Sequence, residues 1–175
     1  MKYYPVELES LFSCKQMFEK TDVRGDDLSV CDSRFHFESR VKKFSNVPFQ
    51  MFGIEAKLDN LICDGQEIIM PVFSAQKLYI LGFAEYSNFK EKLILRDVDI
   101  TEKKVNFTIY GISQNMETLY ESELDCNTMI AFQSRGKFSQ RMKYSIASIA
   151  IEKPIKSVIL PRNSEIHIAA ITLCK

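Results

Sequence analysis

From about residue 66 to the end of the chain, apolar positions recur with period two or gather in short runs rich in Ile, Val, Phe and Tyr, the signature of β-strands. Val105, Phe107 and Ile109 alternate with Asn106, Thr108 and Tyr110, which predicts a strand with one face in a core and the other in or near solvent. On that register Phe107 fills the space between sheets and Thr108 points outward. Gly111 then marks an exit or a bulge. Leu93 and Leu95 alternate in the same way, as do Ile149 and Ile151, and Ile166, Ile168 and Ala170. The segment Leu78-Tyr79-Ile80-Leu81-Gly82-Phe83-Ala84 is apolar throughout, so it reads as a central strand covered on both faces, with Gly82 at a close approach of backbones.

Turn signals such as Asp64-Gly65, Lys153-Pro154 and Pro161-Arg162-Asn163 separate these runs, with no helical stretch between them. This spacing predicts an all-β fold, an antiparallel β-sandwich of jelly-roll-like kind, and disfavours a parallel α/β sheet. The first fifty residues leave two readings open. Leu8, Leu11 and Phe12, with Phe18 further on, suit an amphipathic helix; a short strand running into a long loop is the competing reading, since Asp22, Gly25, Asp26 and Asp27 break whatever precedes them. No repeat, low-complexity tract or linker divides the chain, so residues 1–175 are expected to form one domain.

Length agrees with that expectation: 175 residues bury roughly two-thirds of the surface that the unfolded chain exposes. Twenty-three basic residues balance twenty-three acidic ones, so no net field attracts nucleic acid or an anionic membrane. Glu7 and Glu9 arrive before any apolar run long enough for a signal peptide, and no stretch is long enough to cross a bilayer. A cytoplasmic protein is the expectation. The five cysteines, Cys14, Cys31, Cys63, Cys126 and Cys174, are widely spaced and odd in number, which suits free thiols in a reducing compartment.

The candidate chemistry is sparse. His36 and His167 are the two histidines, without HxH, HExxH or paired cysteines; each alternates with apolar neighbours and reads as a surface or loop-facing side chain, and no metal or other cofactor is expected. There is no GxSxG elbow. Asp97 and Asp99 read as one strand face, roughly 7 Å apart, but side by side at a solvated strand end and not across a cleft as a glycosidase needs. Glu121, Glu123 and Asp125 read as a polar loop. Asp22, Asp26 and Asp27 around Gly25 could supply oxygen ligands to calcium, but match no EF-hand spacing. The Arg24-Gly25-Asp26 tripeptide and the Asn106-Phe107-Thr108 sequon are too short to carry a function in this setting. Aromatic residues are plentiful, but tryptophan, the largest stacking platform for a sugar, is absent. Tyr86, Tyr110, Tyr120 and Tyr144 remain as amphipathic contacts on a strand face or loop. Of the polar-tipped side chains, Tyr110, Arg135 and Tyr144 are the candidate ligand-binding residues.

Several segments, taken in order, resemble the accessory β-sandwich domains, jelly-roll-like and galactose-binding-like, of bacterial glycoside hydrolases such as α-mannosidase-type enzymes. They are Val47-Pro48-Phe49-Gln50; Asp59-Asn60-Leu61 with Gly65-Gln66 and Ile68 to Pro71; Lys77 to Gly82; and Ile155 to Pro161 leading to Ile166 through Leu173. On this resemblance Leu160-Pro161 to Ile166 is a hairpin delivering the last strand. The resemblance implies a non-catalytic module that packs against a hydrolase or binds carbohydrate weakly, and it transfers no catalytic residue. Here the hydrolase would have to be a separate chain. Two other classes stay open: a small sugar-processing isomerase or lyase on the same scaffold, and a structural homodimer that buries an exposed sheet against its copy.

Overall fold

The computed structural model describes residues 1–13, 40–52, 57–85, 87–111, 127–135 and 141–175. Its strands are β1 (Tyr3–Val6), β2 (Arg40–Phe44), β3 (Val47–Met51), β4 (Leu61–Asp64), β5 (Glu67–Ile69), β6 (Lys77–Ala84), β7 (Phe89–Asp97), β8 (Glu102–Ile109), β9 (Thr128–Arg135), β10 (Arg141–Ala150), β11 (Ile155–Ile159) and β12 (Arg162–Cys174). A six-stranded sheet runs β1-β12-β6-β10-β9, with β4 also paired to β12; a four-stranded sheet runs β5-β11-β7-β8. Every strand pairing is antiparallel. The chain crosses repeatedly between the two sheets, so the fold is the antiparallel β-sandwich that the sequence predicts.

The main core lies between these sheets, with Leu78, Ile80, Leu93, Leu95, Phe107, Val158, Ile166, Ile168, Ile171 and Leu173 among its members. A second core lies on the far face of the six-stranded sheet, where Val47, Phe49 and Met51 of β3 pack with Tyr79, Leu81, Phe83, Tyr144 and Ile146. The β2–β3 hairpin that supplies this cover turns through Ser45 and Asn46, both at positive φ (49° and 66°), the backbone of a two-residue type I′ turn. Two-sided cover explains the unbroken apolar run of β6: even positions enter one core and odd positions the other. In β12 an extra residue at the register shift between Ile168 and Ala170 keeps Ile166 and Ile168 on the same face as Ile171 and Leu173. Gly82 has the expected close approach, since a Cβ there would stand 2.5 Å from the carbonyl oxygen of His167.

Several local expectations change. The segment after Leu160 is no hairpin, because β11 and β12 belong to different sheets. It is a corner, tied to the β4–β5 crossover by Gly65 N–H to Pro161 O at 3.0 Å and Leu160 N–H to Gln66 O at 2.9 Å. Thr108 does not face solvent: β8 is exposed along its first half, but Phe107, Thr108, Ile109 and Tyr110 are all buried. Asp97 and Asp99 do not share a strand face. Asp97 closes β7, and its buried carboxylate accepts from the N–H groups of Asp99 (3.0 Å) and Thr101 (2.8 Å), so it organises the turn. At the N-terminus the strand reading holds: β1 pairs with β12, and Leu8 leads into one 3₁₀ turn (Glu9–Leu11) rather than a longer helix. Phe18 and the Asp22–Asp27 group lie outside the described residues, as do His36, Tyr86, Tyr120, the Glu121–Asp125 stretch and Cys14, Cys31 and Cys126. Cys63 and Cys174 are free and buried.

Candidate functional site

The principal polar cluster of the interior gathers where β4, β6 and β12 meet. His167 stands opposite Phe83 in the β12–β6 ladder and opposite Ile62 in the β12–β4 ladder, and its ring stacks on Phe83 with centroids 4.6 Å apart and planes 10° from parallel. Nδ1 lies 2.8 Å from Asn60 Oδ1, and Nε2 lies 2.8 Å from Glu85 Oε1. Asn60 Nδ2 in turn donates to Asp59 Oδ1 at 2.7 Å, which fixes the amide with its oxygen toward the ring. Asp59 and Asn60 precede β4 and Glu85 follows β6, where its N–H donates to Glu165 O at 3.0 Å. The two strand ends therefore bring the acceptors to a histidine held mid-strand.

The network is enclosed. His167 and Asn60 are 0% exposed and Asp59 2%, while the Glu85 side chain reaches solvent at 17%. Burial lowers the pKa of His167 from its ordinary 6.5, opposed by the hydrogen bond and charge of Glu85 and by the charge of Asp59. Tyr144, whose ring meets Phe83 edge-on at 5.2 Å, has its phenol pKa raised by burial and then by the Asp59 charge. Both imidazole nitrogens are engaged inside the protein; with oxygen acceptors at each, both contacts are hydrogen bonds at once in the doubly protonated ring, the form that Glu85 and Asp59 favour and burial opposes. As arranged, the ring positions its neighbours and has no open nitrogen for a substrate or a metal.

This placement corrects the sequence reading of His167 as a surface or loop-facing side chain. Ile166 through Leu173 is apolar at both parities, so every position in it is covered, and a histidine there must find partners inside. Asn60 and Glu85 were not singled out from sequence for such a role, although Asp59-Asn60 forms a polar pair directly before an apolar strand. The expected ligand-binding residues fare differently. Tyr110 N–H donates to the hydroxyl of Ser145, the residue after Tyr144, at 2.9 Å, but Tyr110 and Tyr144 are 1% and 0% exposed and present no ring to a ligand. For Tyr144 the reason is the second core, which covers the far face of the six-stranded sheet. Arg135 ends β9, opposite Arg141 of β10. Among the described residues no group of three or more His, Cys, Asp and Glu is placed to hold a metal ion, and no helix is long and apolar enough to cross a membrane.

Residues 37–175 match a family model described as AziU2-like beta-sandwich domain. The chain belongs to this family. The match takes in β2 to β12 and the whole Asp59-Asn60-His167-Glu85 cluster, so the site is internal to the AziU2-like domain; β1 lies outside the matched range and still forms an edge of its six-stranded sheet. No curated protein matches the chain.

Proposed function

We propose that this AziU2-like domain is a non-catalytic binding or assembly module of the cytoplasm, whose partner class is a carbohydrate or a separate carbohydrate-active enzyme chain such as a glycoside hydrolase. The observation that supports it is the state of His167: this acid–base side chain is sealed in the sheet with both ring nitrogens engaged. The carbohydrate class comes from the sequence resemblance. With the rings of Tyr110 and Tyr144 enclosed, a sugar would meet a surface poor in stacking contacts, and dissociation constants of about 0.1 to 10 mM are expected.

One feature favours a catalytic alternative. Glu85 is a carboxylate at the protein surface backed by a buried imidazole, an arrangement that can move a proton. Incubation with chromogenic α- and β-glycosides separates the readings. The module shows no turnover above a buffer control, whereas turnover abolished by Glu85→Gln in a folded variant overturns the proposal. A glycan screen that is blank up to about 10 mM removes the carbohydrate part and leaves assembly with a protein chain.

A further inference from the structure

The outer face of the four-stranded sheet carries a surface that neither core uses. Ladder register sets Ile94 of β7 beside Ile159 of β11, with Ile69 of β5 diagonal to Ile159. Ile94 and Ile159 are half-buried, and Ile69 is 64% exposed. Lys104 stands opposite Ile94, and Lys92 and Lys90 continue that face of β7 opposite Asn106 and Thr108. Same-face neighbours on one strand lie about 7 Å apart and diagonal neighbours about 7 to 8 Å. The three lysines are thus close enough to raise a local positive field. All three are exposed, and no described carboxylate pairs with them.

The acidic residues of this face are already committed. Arg96 holds Glu67 at 2.6 Å and Glu102 at 2.7 Å, and the Ser157 hydroxyl also donates to Glu67. These contacts link side chains of all four strands, which orders the face before anything binds. Among the described residues of this face, Lys90, Lys92, Lys104 and Arg96 stand against Glu67 and Glu102, so a basic excess of two charges lies beside an apolar centre.

We propose that this face docks a separate protein chain whose own surface has an apolar centre and carboxylates placed over Lys90, Lys92 and Lys104. This rests on the reading of the domain as a binding or assembly module and adds the chemistry of its partner. Charge complementarity selects the occupant. A second copy docked through a two-fold axis offers this strip only its own lysines or Glu67 and Glu102, which Arg96 already holds. A bare polyanion would use the lysines and leave the isoleucines in water, whereas an apolar centre with a charged rim is the anatomy of a protein interface.

The test measures fluorescence anisotropy of a labelled peptide that alternates leucine and glutamate, with a serine–glutamate peptide of equal charge as the comparison, at low and at moderate salt. The leucine–glutamate peptide is expected to bind more tightly. Binding should fall on the order of tenfold for the combined Lys90→Glu, Lys92→Glu and Lys104→Glu variant, and about threefold for Ile69→Ser, with urea midpoints unchanged. Absence of binding, equal binding of the two peptides, or indifference to the charge reversal overturns the proposal. A wild-type dimer in sedimentation that Ile69→Ser dissociates overturns it in favour of a second copy. Glycoside turnover would sink the non-catalytic reading without moving any of these anisotropies, so the two failures are distinguishable.

Discussion

In His167 a side chain with two hydrogen-bonding nitrogens has been taken wholly out of water, and what makes that tolerable is that Asn60 and Glu85 meet both of them. Removing the ring strands those partners and empties the space against Phe83. His167→Ala is therefore expected to destabilise the fold by about 3 kcal/mol or more, measured by urea unfolding; a change under about 1 kcal/mol would mean that the network contributes little. Cys63 shows the same environment acting on a thiol. Burial, with the Glu91 charge behind it, pushes its pKa up to about 12, so very little reactive thiolate exists near neutrality. Iodoacetamide should leave Cys63 unmodified in the native protein and label it in urea, as read by peptide mass; rapid native labelling would contradict its burial.

Along β8 the expected alternation holds only until the strand passes beneath its neighbours. Phe107 fills the main core as expected, and Phe107→Ala should cost about 3 to 5 kcal/mol. Thr108, read from sequence as solvent-facing, is 8% exposed, so Thr108→Ala should cost on the order of 1 kcal/mol rather than nothing. Equal effects at the two positions in denaturant titrations would show the register to be wrong. Across the four-stranded sheet, the hydrogen bond from Ser157, followed by Arg96, holds the Glu67 carboxyl below its ordinary 4.5. Its contribution to stability is present above that value and disappears as pH falls through the lower, folded value. The gap in melting midpoint between wild type and Glu67→Gln should therefore narrow as pH falls below the ordinary 4.5, and a constant gap would refute the linkage.

The molecule is a three-layer arrangement in which the six-stranded sheet is shared by two cores, one facing the other sheet and one beneath the β2–β3 hairpin. A shared sheet couples them. Phe49→Ala, which empties part of the second core, should lower stability by about 3 to 5 kcal/mol while tyrosine fluorescence and circular dichroism still report one coincident transition. Separate transitions would show that the hairpin layer melts by itself.

The strand content, the central position of β6, the close approach at Gly82 and the free state of Cys63 and Cys174 were legible because each depends on a local pattern: periodicity, a glycine in an apolar run, cysteine spacing. The crossing of β11 into β12 and the burial of Thr108, Tyr110, Tyr144 and His167 were not, because a period of two separates the faces of a strand without saying what covers each face. Cover is a property of distant segments. His167 meets Asn60 across 107 residues and Glu85 across 82, and no spacing rule reaches that far. The sequence by itself determined that this chain would be an antiparallel sandwich with its apolar strands at the centre. Only the tertiary structure decided which polar side chains went inside, because that depends on which strand ends the sheet order brings together around them.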